Sequence, residues 1–418
     1  MGIGRRRFVL GGLAGTAAVA AGCGDGDEDT LGAPGQQAGE GDAHGFGRAT
    51  EYLDFRGLHQ TGITHPANEQ GMLAAFTVTA ADRDELAGMF EALSAEIDRL
   101  MSGRPYEERE PAYPALYTGT VGNPPPPADL SVVVSVGASL FDDRFGLADL
   151  RPRSLERMPF LANDRLDPER SHGDLLLTIT SAHEDVNLFA LRQLMRVTRG
   201  TLALHWMLDG YNRRTQAERG EAGNRNLMGF VDGTANLDAA DAGTMDRYVW
   251  VQDDDDEPAW AVAGSYHVVR VIRMLVEFWD RTRLSEQERL IGRRKDNGAP
   301  LDGEAEADIP DYAADPDGDL TALDAHIRLA NPRTPETEDD LIFRAGLNFS
   351  RGFDAAGQLD QGLAFVSYQR RLQQFLNTQE RLAGEPLEEY LLPVGGGFFF
   401  ALPGVAREGG YLGEGLFA

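Results

Sequence analysis

The sequence predicts an α+β fold made of two ferredoxin-like halves, each with the element order β-α-β-β-α-β. Apolar runs of strand length alternate with segments of helical periodicity, and the order of these elements in the first half recurs in the second. A chain of 418 residues with 42% hydrophobic content is also long enough for two packed units. We expect the antiparallel sheets of the two halves to pack together in a dimeric α+β barrel-like arrangement.

The first half is predicted to span residues 59–215. A short apolar strand leads into a helix whose apolar residues, from Leu86 to Leu100, recur at helical spacing. A proline-rich connection and a β-branched run follow, and a further strand, helix and strand complete the order. The predicted elements are strands at 72–80, 132–136, 175–180 and 202–208, and helices at 86–100 and 185–199.

The second half is predicted to span residues 216–418 and to repeat this order around a large insertion. The insertion is a helical and irregular region that ends near residue 333, and we expect its loops to cover a pocket. No repeat of residue identity is visible, so this inference depends on element order alone. The predicted elements are strands within 260–273 and at 341–349, 363–369 and 398–402, and a helix at 372–382.

The N-terminus resembles an export signal. The run Arg5-Arg6-Arg7-Phe8 opens an apolar segment that ends at Ala21, and its 14 residues from position 8 are fewer than the roughly 20 that span a bilayer. The arginine–phenylalanine order resembles a twin-arginine signal, the route for proteins that fold before export, often around a cofactor. We predict a signal peptide over residues 1–23, a flexible polar tether over residues 24–58, and a periplasmic, extracellular or envelope-anchored protein.

Cys23 is the only cysteine of the chain. A single cysteine excludes an internal disulfide, a Cys-x-x-Cys-His haem attachment and a cysteine zinc cluster. Its position after Ala20-Ala21-Gly22 resembles a lipobox, although Ala20 stands where leucine is usual. Two outcomes are open at this point: Cys23 is acylated and anchors the protein, or the segment is cleaved and the protein is released.

Charge and missing motifs exclude several function classes. The formal net charge of −28 and the sequence pI near 4.6 argue against nucleic acid or an anionic membrane surface as partner, because both attract Lys and Arg. The chain has no His-Glu-x-x-His, no P-loop and no convincing dinucleotide fingerprint, and the sequence around Ser139 lacks the closing glycine of a nucleophile elbow. Hydrolase and nucleotide-binding functions are therefore disfavoured.

Three residues are the best candidates for chemistry. Asp232 lies in Gly229-Phe230-Val231-Asp232-Gly233-Thr234, a glycine-flanked turn, although Asp-Gly by itself is a common turn dipeptide. His326 lies just before a proline break, in Ala325-His326-Ile327-Arg328, and a lone histidine is more often structural than a ligand. Arg344 follows 18 residues after His326 on a predicted strand. Each signal is weak alone, and the combination of Asp, His and Arg suits haem-iron peroxide chemistry.

These segments together closely resemble the dye-decolorising peroxidase family, and within it the exported branch of deferrochelatase/peroxidase proteins. The resemblance extends over nearly everything from about His59 to Phe417, and the separations of 94 residues from Asp232 to His326 and 18 from His326 to Arg344 are also similar. The segments that carry it, besides the Asp232 turn, are Leu140–Leu147, Gly264–Arg270, Val276–Thr282, the His-Ile-Arg segment with Asn331-Pro332-Arg333, Ile342-Phe343-Arg344, and Gly395–Gly404.

The resemblance implies that haem b is bound in the C-terminal half. His326 would be the proximal ligand of the haem iron, Asp232 would move a proton between the two oxygens of peroxide, and Arg344 would stabilise the negative charge of the departing oxygen. It further implies contacts to the cofactor from Gly233 and Thr234. The implied activity is reduction of hydrogen peroxide through a ferryl intermediate, with oxidation of a one-electron donor such as a dye or a phenolic compound.

Other details of the implied site are less specific. Arg270 and Arg328 are candidates for binding haem propionates, or equally for ordinary surface ion pairs. Glu388 or Glu389 is a candidate acidic partner for the second ring nitrogen of the proximal histidine. Ala345 and Leu347 stand where many relatives carry an arginine and an aromatic residue, which indicates different access or a different electron path.

Two other functions remain open. One is deferrochelation, in which iron leaves haem while the porphyrin survives. The other is a non-catalytic haem or iron carrier at the cell envelope, for which the lipobox and the acidic surface give mild support. A homodimer or a higher oligomer is a further expectation from the resemblance.

Overall fold

The computed structural model of the protein describes residues 50–66, 68–212 and 224–418. The predicted signal peptide, Cys23 and most of the predicted tether lie outside the described residues. Among the helices that are described, none combines the length and the apolar character needed to cross a membrane.

The first half has the predicted ferredoxin-like order. Its four strands are all antiparallel and lie side by side in the order β2-β3-β1-β4. The elements of this half are α1 (Thr61–Thr64), β1 (Gln70–Val78), α2 (Arg83–Met101), β2 (Ser131–Gly137), β3 (Leu175–Ser181), α3 (Glu184–Val197) and β4 (Leu202–Tyr211).

The second half repeats the arrangement in the order β9-β5-β8-β7, again antiparallel. Helices α4 to α7 belong to the connections around the first strand and to the large insertion. The elements of this half are α4 (Ala242–Tyr248), β5 (Ser265–Met274), α5 (Val276–Trp279), α6 (Leu284–Ile291), α7 (His326–Ala330), β6 (Phe343–Arg344), β7 (Leu347–Phe353), β8 (Leu359–Gln369), α8 (Leu372–Leu382) and β9 (Leu391–Ala401).

The two halves join edge to edge into one closed sheet. Strand β2 pairs with β9, β4 pairs with β7, and the β5–β8 pairing closes the ring. Closure leaves these strands without unpaired edges, which is the usual advantage of a barrel. The predicted α+β class with two ferredoxin-like halves and a barrel-like arrangement is confirmed. The halves are linked by strand pairing as well as by side-chain packing.

Alternate residues of the strands supply two different cores. In β1, Met72, Ala74 and Phe76 pack in the cluster that contains the apolar faces of α2 and α3, whereas Leu73 and Ala75 pack in a second cluster with residues of β5, β8 and β9. Successive side chains of a strand point to opposite faces, so the first cluster lies between sheet and helices and the second fills the barrel. Asp82 caps the N-terminus of helix α2, since its side chain accepts a hydrogen bond from the Glu85 amide at 2.9 Å.

One strand prediction was wrong in its extent. A continuous strand was expected over 341–349, but the structure has β6 and β7 with a break at Ala345-Gly346. The Gly346 carbonyl accepts a hydrogen bond from the Asn212 side chain at 3.0 Å instead of pairing with a neighbouring strand. The break leaves Arg344 on a strand of only two residues.

The barrel interior also contains a polar group. His267 on β5 is completely buried, its Nδ1 lies 2.9 Å from the Ser135 hydroxyl, and its ring stacks on Tyr368 with centroids 4.4 Å apart. Its Nε2 has no hydrogen-bond partner within residues 50–66, 68–212 and 224–418. Burial lowers the pKa of His267 to about 3 because the charged ring is poorly solvated there.

This histidine makes the protein sensitive to acid. Between an unfolded-state pKa of 6.5 and the folded-state pKa of about 3, the unfolded chain binds more protons, so stability falls as the pH decreases through this window. We expect His267→Gln to reduce the slope of unfolding free energy against pH by up to about 1.4 kcal/mol per pH unit. Urea unfolding at several values between about pH 4 and pH 7 measures the slope. Identical slopes for parent and variant would contradict the assignment.

Candidate active site

The Asp232 segment is a tight turn, as predicted from its glycines. Gly229 and Gly233 have φ of +87° and +89°, which favours glycine at both positions. The Asn226 side chain accepts from the Met228 and Phe230 amides at 3.0 and 3.3 Å, which shapes the start of the turn. Asp232 is fixed by its own amide, which donates to the Asn224 carbonyl at 2.7 Å, and its Oδ1 accepts from the Gly233 amide at 2.8 Å.

Arg344 lies directly beside this turn. Its Nη2 donates to the Thr234 carbonyl at 2.8 Å, and its Nη1 lies 3.8 Å from Asp232 Oδ1. Both side chains are partly accessible, with 33% of Arg344 and 24% of Asp232 exposed. Asp232 Oδ2 has no hydrogen-bond partner in the part of the chain that the structure describes. A partly exposed carboxylate therefore lies next to a guanidinium that is held by the Thr234 carbonyl.

His326 is the first residue of α7 and is held by an acidic partner. Its Nδ1 lies 2.9 and 3.0 Å from the two oxygens of Glu385, whose side chain is only 4% exposed. Burial lowers the pKa of His326, but the Glu385 carboxylate outweighs this effect and the net pKa is raised. The contact fixes Nδ1 as the protonated nitrogen and leaves Nε2 as the nitrogen that can bind a metal.

The prediction that Glu388 or Glu389 supplies this partner was wrong. Glu388 accepts a hydrogen bond from the Gly384 amide instead, at 3.0 Å. The acid that reaches the ring is Glu385, which lies between the end of α8 and the short helical turn before β9. Its place after a glycine and before Pro386 marks a loop, but the sequence does not indicate which of three nearby glutamates turns inward.

Helix α8 positions α7, and therefore His326. The Arg381 side chain on α8 donates to the Leu329 carbonyl at 3.1 Å and to the Ala330 carbonyl at 3.3 Å. These are carbonyls at the C-terminal end of α7, where a helix has no partners of its own. The five-residue helix is too short to be stable alone, so this contact and the Glu385 bond set its orientation.

The charges of two of the predicted residues act on the third. Arg344 lowers and Asp232 raises the pKa of His326, so both charges lie within electrostatic reach of its ring. An ideal Cβ on Gly233 would meet no atom within 4 Å, so the turn borders open space. The sequence separates these residues by up to 112 positions, and the structure brings them together.

A concave surface with two arginines lies beside α7. A cavity of about 600 Å³ is lined by Tyr312, Arg328 and Arg333 together with Asp311, Thr334 and apolar residues. The Arg328 guanidinium lies 5.0 Å from the centre of the Tyr312 ring. Burial raises the pKa of Tyr312, and Arg333, Arg293 and Arg328 oppose this increase, so three guanidinium groups lie near one phenol. Such a surface suits anionic groups. Sequence reasoning did not single out Tyr312, Arg293 or Arg333 as site residues, although Arg333 stood in a quoted segment.

Comparison with protein families decides the family. Residues 60–212 match the model described as the N-terminal part of Dyp-type peroxidases, and residues 223–406 match the C-terminal part. The chain belongs to the Dyp-type peroxidase family. Together the two matches cover most of the chain, in agreement with the resemblance in the sequence.

Individual relatives agree with this assignment. The chain is 46% identical over 369 residues to deferrochelatase of Escherichia coli strain K12, which covers 88% of this chain and 87% of the relative. Ferric DtpA from Streptomyces lividans is 35% identical with a TM-score of 0.78, over 88% of this chain and 98% of that one. A DyP-type peroxidase from Cellulomonas bogoriensis is 32% identical with a TM-score of 0.77, over 87% and 98%.

Dyp-type peroxidases are haem enzymes, so this chain is a haem peroxidase. The residues of the site fit the cofactor. His326 offers its Nε2 for iron, its Nδ1 is held by a buried carboxylate, and the Asp232 turn borders open space at Gly233. The arginines around the cavity beside α7 are of the kind that bind carboxylates.

Two other residues predicted to contact the cofactor, Thr234 and Arg328, have different surroundings in the structure. The Thr234 carbonyl faces Arg344, while its hydroxyl donates to Glu306 at 2.9 Å. The Arg328 guanidinium donates to the Thr321 and Asp315 carbonyls at 2.8 and 2.9 Å, and it also lines the cavity. A role in binding a propionate therefore stays a prediction for Arg328.

Arg270 corrects the sequence prediction. It is neither a surface residue nor open to a propionate, because it is 2% exposed and both of its Nη atoms bind the Asp164 carboxylate, which is fully buried. Alternation along β5 turns Arg270 away from the barrel interior toward the loop that contains Met158 and Asp164. The pairing partner lies 106 residues earlier in the chain.

Breaking this ion pair should destabilise the protein strongly. Asp164→Ala leaves the Arg270 cation buried without its partner, and we expect a loss of about 3–5 kcal/mol in unfolding free energy. Chemical denaturation measures the loss. Arg407→Ala is the matched control, because Arg407 is 67% exposed in its ion pair with Glu414 and its removal should change stability by less than about 1 kcal/mol. Similar small losses for both variants would show that the Arg270 cation is solvated.

Proposed function

We propose that the protein is a haem b peroxidase in which Asp232 and Arg344 act on hydrogen peroxide and the His326 ring would hold the haem iron. The proposal is supported by a partly exposed carboxylate beside a guanidinium, within electrostatic reach of an imidazole that is bound to a buried carboxylate. When bound, the haem supplies the redox chemistry that the reduction of peroxide requires. The protein residues supply the proton transfer, the charge stabilisation and the orientation.

Asp232 is proposed as the acid–base group. Cleavage of hydrogen peroxide needs a proton to leave one oxygen and to arrive on the other, which then departs as water. Asp232 Oδ2, which has no hydrogen-bond partner among the described residues, can accept the first proton and return it, while Oδ1 is held by the Gly233 amide at 2.8 Å. The restrained turn keeps the carboxylate from rotating away between the two transfers.

Arg344 is proposed to stabilise the charge that develops on the departing oxygen. Its Nη2 is occupied by the Thr234 carbonyl, which fixes the plane of the guanidinium. Its Nη1 lies near Asp232 and retains hydrogen-bonding capacity for a peroxide oxygen. A donor that is oriented before the reaction needs no reorganisation when charge appears.

His326 and Glu385 are proposed to act together. The carboxylate accepts the Nδ1 proton, which aims the Nε2 lone pair and makes the ring a stronger electron donor. Because Glu385 is almost fully buried, its charge is poorly screened by water. The pair thereby fixes both the tautomer and the direction of the ligand.

The two proposed reactive residues can be tested by substitution. We expect Asp232→Asn to lower kcat/KM for hydrogen peroxide by about 100-fold or more, because the amide cannot accept the proton. Arg344→Leu should lower it by about 100- to 1000-fold, because the oriented donor is lost. Stopped-flow measurement of the peroxide reaction, together with dye oxidation, gives both values.

Absorption spectra provide the controls for these variants. Asp232→Asn and Arg344→Leu should bind haem with the parent Soret band, since neither residue is the axial ligand in this proposal. His326→Ala should lose that spectrum. A parent-like spectrum and rate in His326→Ala would reject the axial assignment, and an unchanged peroxide rate in Asp232→Asn would reject the acid–base role.

A second candidate function is deferrochelation. The observation that favours it is the 46% identity to proteins named deferrochelatase over most of both chains. In this reaction iron leaves the ring and two protons replace it on the porphyrin nitrogens. The family assignment as an enzyme disfavours the third option, a non-catalytic carrier.

This second function predicts that the purified protein, incubated with haem in the absence of peroxide, releases iron and accumulates protoporphyrin. Porphyrin fluorescence and an iron chelator measure the two products, and His326→Ala is the matched control that should release neither. Intact haem in the parent reaction would reject deferrochelation and leave the peroxidase proposal standing.

We also propose that the protein is exported by a twin-arginine-type route. The support is the sequence Arg5-Arg6-Arg7-Phe8 with its short apolar segment. The two outcomes for Cys23, acylation or cleavage and release, belong to this proposal, and assembly into a homodimer or higher oligomer is a separate one. The mass of the mature N-terminal peptide and the partition of the protein into detergent distinguish acylation from release.

A further inference from the structure

We propose that Asn236 is a positioning residue for the peroxide reaction: its side chain locks the Asp232 turn and Arg344 into one rigid unit. This inference rests on the proposed roles of Asp232 and Arg344. Asn236 makes no contact with the reacting atoms in this scheme. It acts through the main chain of Arg344.

The Asn236 side chain makes both hydrogen bonds that a neighbouring strand would make. Its Oδ1 accepts from the Arg344 amide at 2.9 Å, and its Nδ2 donates to the Arg344 carbonyl at 2.8 Å. The contact joins positions 108 residues apart in the chain. An amide side chain is suited to this task because it carries one acceptor and two donors side by side.

The strand that carries Arg344 needs this support. Strand β6 has only two residues and pairs on one side with β8, through Phe343↔Tyr368 and Arg344↔Ser367. The chain then breaks away at Ala345-Gly346 before β7 begins. Asn236 therefore satisfies the main-chain groups of Arg344 on the side that β8 does not cover.

The same residue also fixes the turn from within. The Asn236 amide donates to the Gly233 carbonyl at 3.2 Å, which closes the turn directly after Asp232. Ala235, between Thr234 and Asn236, has a φ of +58°, a conformation that an alanine adopts only when its surroundings enforce it. The Arg344 guanidinium completes the unit by donating to the Thr234 carbonyl at 2.8 Å.

This geometry predicts a specific effect on the reaction. Without the Asn236 clamp, β6 and the turn lose the contact that sets the 3.8 Å separation between Arg344 Nη1 and Asp232 Oδ1. A displacement of about 1 Å in a positioned group can lower a rate by about 100-fold. The loss should appear in steps that use the guanidinium and not in haem binding, because His326 and Glu385 belong to other elements.

A double-substitution cycle tests the proposal on the haem-loaded full-length protein. The probe is fluoride, an anion that binds the open position of ferric haem and accepts hydrogen bonds there. Arg344→Leu should weaken fluoride binding by roughly 10- to 100-fold, as expected for a lost hydrogen bond to a charged group. Asn236→Ala should weaken it by at least about fivefold, and should cause no further loss when combined with Arg344→Leu.

Asn348→Ala is the matched control. Asn348 is a buried asparagine whose Nδ2 likewise donates to a main-chain carbonyl of this region, that of Arg225 at 2.9 Å, without a hydrogen bond to Arg344. Its substitution should lower the melting temperature, and any effect on fluoride binding should add to that of Arg344→Leu. Thermal unfolding of all variants separates loosening of the fold from loss of positioning.

The outcomes separate this inference from the proposal beneath it. Unchanged fluoride binding in Arg344→Leu would reject the proposed role of the guanidinium. The positioning role alone would be rejected if Arg344→Leu clearly weakens fluoride binding but Asn236→Ala does not. It would also be rejected if Asn236→Ala weakens fluoride binding equally in the parent protein and in Arg344→Leu. If Asn236→Ala does not fold, Asn236→Ser is the alternative variant, because its hydroxyl can replace one of the two hydrogen bonds. An intermediate loss of fluoride affinity that occurs only when Arg344 is present supports the proposal. A parent-like fluoride affinity overturns it.

Discussion

Strand β8 and the helix that follows it are the constraint on which the site depends. β8 pairs with β5, β6 and β7, so it closes the barrel and holds the two-residue strand that presents Arg344. Helix α8 then caps the end of α7 through Arg381, and the chain places Glu385 on His326 shortly afterwards. One continuous segment therefore positions both Arg344 and His326.

The electrostatics of the site contrast with those of the whole protein. The chain has a formal net charge of −28, yet Arg293, Arg328, Arg333 and Arg344 lie in the region around Tyr312 and His326. Two carboxylates in this region differ in their solvent access. Glu385 is buried beside His326, and Asp232 is partly exposed beside Arg344. Because burial limits screening, the first suits permanent polarisation of a ligand, and the second suits exchange of protons.

Much of the fold follows from local patterns. The helix over 372–382 and the strands of both halves agree with apolar periodicity, since each buries a face that the pattern marks. The break between β6 and β7 was missed because Ala345-Gly346 is a weak signal within an apolar run. The role of Glu385 was missed for a different reason: three glutamates lie within five residues, and only the packing of α8 decides which one faces the histidine.

The sequence by itself determined the element order and the family resemblance, and it supplied Asp232, His326 and Arg344 as candidates, because these depend on local periodicity and on motifs with fixed residue types. The tertiary structure alone decided the closure of the sheet, the Glu385 partner of His326, the burial of Arg270 against Asp164 and the clamp of Asn236 on Arg344. These contacts join positions 59 to 108 residues apart, or whole halves of the chain. Local sequence carries no information on which distant partner satisfies a given polar group, since that choice is made only when the chain packs.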